Sequence, residues 1–375
     1  MALRQINKNT YRIEIYIGRN SNGKKLRSYH TFKGGKKEAQ IYENELKKSI
    51  ISGKIPSNDK MTYGDFIDIW LKQHVEVNLA PKTIQEYKKM ALNIKEKLGF
   101  IYLKDLKVLH FVDFYNSLKL EKNGKFLSDI TISNYYTLNN TILKYAVKWD
   151  YLSINPHEKV DRPKIKRKEA KFYDLEQTKK LINCLNNEPP KYRALILLAI
   201  DSGARRSEIT GLEWEDINFK NKTININKTT QWINNRLVEG NTKTDKSNRI
   251  VQITDTTIEA LKEYKTYQKG LKQKLQNKWE NSKKVFTTEL GGDMNPDTPS
   301  KILKAVIKKN KLEHINFHGL RHTSVSLLIN SKIPVQVISK RVGHSSSVIT
   351  QNIYSHVFQQ STDEATQKLN SILSN

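Results

Sequence analysis

Two polar stretches divide this chain into three segments, so each segment has to bury a hydrophobic core of its own. The first stretch, residues 52–58, contains a glycine and a proline. The second, residues 156–171, holds seven Lys or Arg against three acids, and Pro163 favours extended backbone there. The 375 residues suffice for two or three domains. We therefore predict domains over residues 1–55, 60–157 and 172–375, with a basic linker over residues 158–171.

The first segment is predicted to be a small basic β-sheet with one helix. Polar and apolar residues alternate over residues 11–17, which indicates a half-buried strand, and residues 25–30 form the returning strand after a turn at 20–23. Residues 36–49 have one apolar helical face. The first 55 residues carry 13 Lys or Arg against 4 acids. Such a module either binds DNA or acts as a solubilising or regulatory cap.

The second and third segments differ in secondary structure. From residue 62 to 152 apolar residues recur at three- and four-residue spacing, and Pro81 suits the first turn of a helix, so we predict an all-α bundle of four or five helices. The third segment mixes helices with a short sheet, whose clearest strands are residues 223–227 and 249–253. The predicted fold class is multidomain α+β: a β-sheet-plus-helix module, a helical bundle, and a mainly α C-terminal domain with a short sheet.

A formal net charge of +27 indicates a polyanionic partner, because so large a surplus otherwise costs self-repulsion. Nucleic acid is the first candidate, since each phosphate that is neutralised adds affinity. No apolar run approaches the roughly 20 residues that a membrane helix needs, and the N-terminal residues lack the apolar core of a signal peptide. The single cysteine, Cys184, suits a reducing compartment. We expect a cytoplasmic protein without membrane contact.

The sequence offers little support for a metal or a nucleotide cofactor. Glu213, Glu215 and Asp216 cluster, but they flank Trp214 in a stretch that we interpret as the exposed end of a helix. Neither a Cys/His set with zinc spacing nor a phosphate-binding glycine loop occurs. We therefore expect a reaction that needs no metal, no ATP and no other cofactor.

Four short patches in the third segment carry the candidate catalytic residues. Arg205 and Arg206 lie at a tight junction between two predicted helices, beside Glu208 and a helix N-terminus that favours anions. Lys243 lies in a polar turn before a strand, where a lysine can reach a phosphate and return a proton to a leaving oxygen; Lys246 is the weaker alternative. Taken singly, such residues are usually ion-pair partners or surface charges.

The other two patches add imidazoles and a tyrosine. His318 and Arg321 are three residues apart, so on a helix they share a face and can meet one ligand. His344 follows a glycine, and Tyr354 lies ten residues further on. Arginine binds phosphate oxygens with its planar fork and stabilises charge in a phosphoryl transition state. A tyrosine nucleophile conserves the bond energy in a covalent intermediate, so a strand can be resealed without ATP.

In this order and spacing, the patches resemble the Arg…Lys…His-x-x-Arg…His…Tyr signature of the tyrosine recombinases, the phage integrase family. The resemblance extends over nearly the whole chain. Residues 133–156 resemble the end of the family's core-binding domain, and the basic N-terminal module resembles the arm-binding domain of integrases from temperate phages and conjugative transposons. Two positions depart from the usual pattern, Ser202 where threonine is common and Val342 where leucine is common. Neither is a catalytic position.

The resemblance implies the chemical roles of the central residues. Tyr354 would form a 3′-phosphotyrosyl bond with DNA and free a 5′-hydroxyl, with Lys243 as the general acid for that oxygen. Arg205 and Arg321 would clamp the scissile phosphate.

The remaining roles and the assembly are implied in the same way. His318 would orient the phosphate or take the proton of the tyrosine, His344 would donate a hydrogen bond to a non-bridging oxygen, and Glu208 would support Arg205. Two rounds of strand exchange would pass through a Holliday junction in a homotetramer on double-stranded DNA with core and arm sites. The C-terminal helix, residues 361–374, would dock on a neighbouring copy. An excisionase and a host DNA-bending protein are further partners, in the nucleoid of a bacterial cytoplasm.

The resemblance thus implies a site-specific recombinase, an integrase that inserts and excises a mobile element. A type IB topoisomerase shares this chemistry but relaxes supercoils as a monomer. A DNA-binding protein that keeps the fold without cleavage is the alternative from another class. Such a binder would not need the complete set of six residues: Arg205, Lys243, His318, Arg321, His344 and Tyr354.

Overall fold

The structure of the protein, a computed structural model, describes residues 2–19, 25–51, 61–119, 126–165, 171–234, 236–241, 248–343 and 369–374. The chain divides into two compact units, Met1–Arg167 and Lys168–Asn375, which are described separately below. The boundaries at residues 55, 157 and 171 remain predictions. Within the described ranges, every helix is too short or too polar to cross a membrane.

The N-terminal unit begins with a three-stranded antiparallel sheet in the order β1-β2-β3, followed by a helix. The elements are β1 (Ala2–Asn7), β2 (Thr10–Arg19), β3 (Lys25–Lys33) and α1 (Lys36–Ile51). Along β2, Tyr11 and Ile13 are buried while Arg12 is exposed and stacks on Tyr29, 4.6 Å from the ring centre. The two predicted strands and the predicted helix are confirmed, whereas β1 was not predicted.

Helices make up most of the rest of this unit, as the apolar spacing predicted. They are α2 (Tyr63–Trp70), which continues through a π-helical turn (Leu71–Val75) into α3 (Glu76–Asn78), then α4 (Pro81–Leu98), α5 (Val108–Lys119) and α6 (Asp129–Lys148). Thr62 caps α2 in a reciprocal pair with Asp65, and Pro81 occupies the first turn of α4. Phe66 and Trp70 are fully buried in the bundle core.

A chain of polar side chains crosses the core of this bundle. The Tyr63 hydroxyl donates to the Asn139 side chain at 2.8 Å, and the Asn139 amide donates to the Tyr115 hydroxyl at 3.0 Å. Tyr115 in turn shares a 2.7 Å hydrogen bond with Nε2 of His157, which is fully buried. Burial lowers the pKa of His157 to about 4, so this imidazole is neutral in the folded protein at neutral pH.

The C-terminal unit combines helices with two small antiparallel sheets. Its first half contains α7 (Leu175–Leu185), α8 (Pro190–Ser202), α9 (Arg206–Gly211), β4 (Ile217–Asn218), β5 (Thr223–Ile226), β6 (Lys228–Ile233), β7 (Arg236–Asn241) and β8 (Arg249–Gln252). Its second half contains α10 (Asp255–Leu275), α11 (Thr298–Lys309), α12 (Phe317–Asn330) and α13 (Val335–Val342). The apolar helix α8 forms the centre of the core and packs against α10 and α12.

The sheets bring distant segments beside α9. One sheet has the order β4-β5-β8, with Thr223 opposite Gln252, and its two long strands are those predicted from the sequence. The other sheet is the hairpin β6-β7, which was not predicted and which packs on α9. Thr210 of α9 and Thr230 of β6 share a buried hydrogen bond of 2.6 Å between their hydroxyls. The short helix α9 is thereby fixed to the hairpin.

Candidate active site

The junction between α8 and α9 depends on a glycine. Gly203 ends α8 with φ +59°, in the left-handed region that L side chains rarely adopt. A Cβ atom at this position would lie 2.8 Å from a methyl group of Val342, at the end of α13. The glycine therefore permits both the sharp turn and the close approach of α13, and the turn places Arg205 directly before α9.

Arg205 is held by the helix that it precedes and remains partly open to solvent. Its backbone N–H donates to one carboxylate oxygen of Glu208 at 2.8 Å, and its Nη1 donates to the other at 2.7 Å. Its Nη2 donates to the carbonyl of Gly343 at 3.0 Å. The side chain is still 39% exposed, so an anion can reach the outer face of the guanidinium.

Glu208 is buried and receives a second arginine. Arg249, the first residue of β8, donates from Nη2 to Glu208 Oε2 at 2.8 Å. Burial opposes ionisation of Glu208, but the hydrogen bond and charge of Arg249, together with Arg205, outweigh it and lower the pKa of the carboxyl. Glu208 is therefore a carboxylate that joins two guanidinium groups.

Arg321 belongs to the same cluster from a different helix. Asn316 caps α12 by accepting the backbone N–H of Gly319 at 2.8 Å, and Arg321 follows in the second turn. Only 3% of Arg321 is exposed. Its Nη1 donates to the carbonyl of Gly203 at 2.8 Å and to that of Val342 at 2.6 Å.

The three arginines meet at the last turn of α13. Each donates to one of three consecutive carbonyl oxygens: Arg249 to Arg341 (2.8 Å), Arg321 to Val342 (2.6 Å) and Arg205 to Gly343 (3.0 Å). Carbonyls at a helix C-terminus lack partners within the helix and carry its negative dipole end, so guanidinium groups stabilise them. We call Arg205, Arg249 and Arg321 the three-arginine cluster.

Gly343 ends α13 and, like Gly203, combines a left-handed backbone with a lack of space for a side chain. Its φ is +72°, and a Cβ atom there would lie 2.8 Å from Nη1 of Arg249. The chain leaves this position toward the segment that carries His344 and Tyr354.

His318 lies one turn before Arg321 on α12 and is exposed. Partial loss of water, followed by the charges of Arg321 and Arg205, lowers its pKa, so the imidazole is neutral at neutral pH. The ring of His322 stands edge-on to it, with the ring centres 4.8 Å apart. Burial, His318 and Arg321 lower the pKa of His322 to about 4. A neutral His318 imidazole can accept a proton.

A pocket of about 320 Å³ has His318 and Arg206 among its lining residues. Arg206 does not join the three-arginine cluster. Its guanidinium donates to the Ser300 hydroxyl at 3.0 Å and pairs with Asp297 at 2.8 Å. Of the two adjacent arginines, Arg205 is thus the one that shares the end of α13 with Arg321.

Three of the six predicted catalytic residues are brought together, and three lie outside the described residues. The residues brought together are Arg205, His318 and Arg321. Those outside the described ranges are Lys243, His344 and Tyr354, together with the alternative Lys246 and residues 361–368 of the predicted C-terminal helix. Residues 369–373 are helical. In the sequence, the segment that carries Lys243 connects β7 to β8.

The acidic cluster near Trp214 was interpreted wrongly from the sequence. Glu215 is exposed as expected, but Glu213 and Asp216 are buried. Glu213 forms ion pairs with Lys228 and Lys284. Lys284 also pairs with Glu239 at 2.7 Å. Burial alone would raise the pKa of Glu213, but hydrogen bonds from the two lysines lower it to about 2. The cluster fixes β6 and β7 to the end of α9.

Across the described part of the chain, no group of three His, Cys, Asp or Glu side chains could hold a metal ion. The described site brings the guanidinium groups of Arg205 and Arg321 and the neutral imidazole of His318 together near the start of α9. Forked cations of this kind bind phosphate oxygens and stabilise the charge that develops during displacement at phosphorus.

Comparisons with known proteins agree with this chemistry. Residues 171–361 match the Phage integrase family, and residues 62–119 match the family described as Phage integrase, N-terminal SAM-like domain. The chain is 31% identical to a protein named Tyrosine recombinase XerC-like from Caldanaerobacter subterraneus subsp. tengcongensis, over 97% of each chain. It is 25% identical to the ICEBs1 integrase of Bacillus subtilis, over 100% of each chain.

A solved structure is similar in fold. The Tn1549 transposon integrase, in complex with a circular intermediate DNA, has a TM-score of 0.69 and 17% identity. The similarity covers 82% of this chain and 99% of that one.

Proposed function

Because this chain belongs to the phage integrase family, we propose that it is the integrase of a mobile element, which inserts that element into DNA and excises it. As a tyrosine recombinase, the protein cuts and rejoins DNA. The single observation that supports the proposed site best is the convergence of Arg205 and Arg321 on adjacent carbonyls at the end of α13. Tyr354 follows this turn eleven residues after Gly343, so the nucleophile is close in sequence to the phosphate clamp.

The cleavage step is a displacement at phosphorus. The Tyr354 hydroxyl loses its proton to His318, and its oxygen attacks the scissile phosphate, which Arg205 and Arg321 hold. The bond from phosphorus to the 5′-oxygen breaks as the 3′-phosphotyrosyl bond forms. Lys243 gives a proton to the departing 5′-oxygen, and His344 donates a hydrogen bond to a non-bridging oxygen. Because its pKa is lowered, His318 is unprotonated at neutral pH and is therefore available to accept this proton.

Rejoining is the reverse displacement. A 5′-hydroxyl from the partner strand attacks the phosphotyrosyl bond and releases Tyr354. The phosphate bond is conserved in the intermediate, so the reaction needs neither ATP nor another cofactor.

The assembly follows from the need to exchange two pairs of strands. Four copies hold two duplexes at core sites and pass through a Holliday junction, and residues 361–374 of one copy dock on the next. The basic N-terminal sheet, with Arg12 and Tyr29 on its exposed face, binds arm sites. An excisionase and a host DNA-bending protein set the direction, and the protein acts on DNA in the bacterial nucleoid.

Covalent trapping on a nicked suicide duplex tests the proposal. Duplexes from a pool of mobile-element junctions, incubated with the full chain in EDTA, should give a denaturant-resistant adduct whose mapped peptide contains Tyr354. Tyr354→Phe should bind the same duplexes and give no adduct, and Arg205→Ala should bind them and cleave at least a hundredfold more slowly, on the order of the effect of losing one transition-state donor. An adduct that persists in Tyr354→Phe, or tight binding without any adduct in the natural chain, would contradict the proposal. Formation of four-way junctions separates a recombinase from a topoisomerase.

A further inference from the structure

We propose that Arg249 is a positioning residue for DNA cleavage, which acts through Glu208 on Arg205 and through α13 on the segment that carries Tyr354. This inference rests on the function proposed above. Its Nε and Nη2 donate to the carbonyl of Arg341 and to Glu208, so it holds the site through contacts within the protein and leaves the DNA phosphate to Arg205 and Arg321. It is the first residue of β8 and lies six residues after Lys243 in the sequence.

The first contact of Arg249 fixes the carboxylate that orients Arg205. Oε2 of Glu208 accepts hydrogen bonds from Arg249 Nη2 and from the Arg205 backbone, each at 2.8 Å. Oε1 then points at Arg205 Nη1, at 2.7 Å. Without Arg249, a buried carboxylate would lose one of its charged partners, which is costly and frees the group to turn. The direction of the Arg205 guanidinium would no longer be set.

The second contact fixes the point from which the Tyr354 segment departs. Arg249 Nε donates to the carbonyl of Arg341, in the last turn of α13, at 2.8 Å. Arg205 also links Glu208 to this turn, through Gly343. However, Arg205 is partly exposed and in the proposed reaction also binds the phosphate, whereas Arg249 is buried and its described contacts are all to the protein.

The two contacts need a guanidinium rather than any cation. Nε and Nη2 belong to one rigid plane, so the carboxylate and the carbonyl are held at a fixed mutual distance and angle. Lysine carries the charge on a single nitrogen and cannot reproduce both directions. Arg249→Lys should therefore recover part of the function that Arg249→Gln loses.

The experiment measures cleavage and binding separately in the full chain. Single-turnover adduct formation on the nicked suicide duplex gives the cleavage rate constant, and titration of the same duplex with the Tyr354→Phe background gives the affinity. We expect Arg249→Gln to cleave about 100-fold more slowly, the order of effect of a small misplacement of a catalytic group, with affinity changed less than about threefold. Arg249→Lys should lie between Arg249→Gln and the natural chain.

Lys191→Met is the matched control. Lys191 is a buried cation in the same unit, paired with Glu289 at 2.9 Å, and has no contact with the three-arginine cluster among the described residues. Its replacement should leave the cleavage rate of the bound protein within about threefold of the natural chain. The double variant Glu208→Gln/Arg249→Gln should lose less activation free energy than the sum of the two single losses, since both residues act in part through Arg205.

The outcomes distinguish this proposal from the one on which it rests. Three outcomes would overturn the role of Arg249 and leave the proposed function standing. These are cleavage by Arg249→Gln within threefold of the natural chain, an equal loss of cleavage in Lys191→Met, and fully additive losses in the double variant. Absence of a Tyr354 adduct in the natural chain would overturn both proposals.

Discussion

Arg205 and Glu208 lie one helical turn apart and are joined by two hydrogen bonds, from the backbone N–H and from Nη1 of the arginine, to the two oxygens of one carboxylate. The backbone bond caps α9, and the side-chain bond sets the direction of the guanidinium. A single buried carboxylate therefore begins the helix and orients the residue that we propose to bind the scissile phosphate.

The charge of Glu208 should matter more to cleavage than to binding. Glu208→Gln keeps the shape of the side chain but offers one acceptor oxygen where the carboxylate offers two. Hydrogen bonds to charged groups contribute about 1.5–3 kcal/mol, so we expect adduct formation to slow by roughly 10- to 100-fold. Affinity for the duplex should change little. An unaltered single-turnover rate would show that Arg205 needs no orientation by Glu208.

The rate of cleavage should fall at acid pH through His318. The pKa of this group is lowered from 6.5, so it stays neutral as the pH falls through 6.5 and becomes protonated only below that value. A protonated imidazole cannot accept the tyrosine proton, so the pH–rate profile of adduct formation should have its acid limb centred below pH 6.5. The limb should disappear in His318→Asn, which should be slow at every pH. A limb centred at or above pH 6.5 would contradict this assignment.

Gly343→Ala should disturb the three-arginine cluster. The left-handed backbone costs an L residue about 1–2 kcal/mol, and the new methyl group would displace the Arg249 guanidinium. We expect the free energy of unfolding to fall by about that amount and adduct formation to slow, measured by urea denaturation and trapping. Gly270→Ala is the control. Gly270 lies inside α10 with open space around its Cβ position, so alanine there should be neutral or stabilise the helix by up to about 1 kcal/mol.

Removal of Lys284 should destabilise the C-terminal unit. Lys284 is 3% exposed and pairs with Glu213 at 2.8 Å, so Lys284→Met would leave a buried carboxylate with Lys228 as its remaining cation. Breaking a buried pair on one side costs about 3 kcal/mol or more. Urea denaturation followed by tryptophan fluorescence should show this loss, whereas Lys283→Met, at the exposed neighbouring position, should change stability by less than about 0.5 kcal/mol. Equal losses in the two variants would place the effect elsewhere.

The helical bundle should lose stability between pH 6.5 and 4 because of His157. Its pKa is lowered from 6.5 to about 4, so between these pH values His157 is protonated in the unfolded chain and neutral in the folded chain. Stability is therefore full above pH 6.5 and decreases as the pH falls, by about 3 kcal/mol at the lower end, since each unit of pKa shift corresponds to about 1.36 kcal/mol. Urea denaturation of the natural chain and of His157→Gln across this range should give curves that converge at low pH. Parallel curves would exclude His157 as the cause.

The sequence predicts those parts of the fold whose pattern is local. Strand β2 alternates in burial, α8 contains a continuous apolar run over residues 194–200, and β5 and β8 occupy the segments predicted as strands. Strands β6 and β7 were not predicted because their polar sequences lack alternation; in the structure they pair with each other, and β6 packs against α9. Glu213 looked exposed because Lys284, one of the two lysines that neutralise it, lies far along the chain.

For the site, the motif singled out Arg205, His318 and Arg321, which the structure places close together, and their catalytic roles stay a prediction. Arg249 was missed, although a signal was present. Side chains two residues apart on a strand share a face, so Arg249 lies on the same face of β8 as the buried Val251. A buried cation is costly unless a buried anion pairs with it, so the position predicts such an anion. That anion is Glu208, 41 residues earlier in the chain.

The burial of Glu208 and Arg249 also determines how the protein responds to ionic strength. Their side chains are 1% and 5% exposed, and dissolved ions screen buried pairs far less than charges at the surface. DNA binding, in contrast, is highly sensitive to salt, because each phosphate contact releases counterions and log affinity falls linearly with log salt concentration. Concentrated salt should therefore strip nucleic acid from this strongly basic protein while Glu208 and Arg249 stay paired. Dilution into low salt then restores DNA binding to a site that has kept its arrangement.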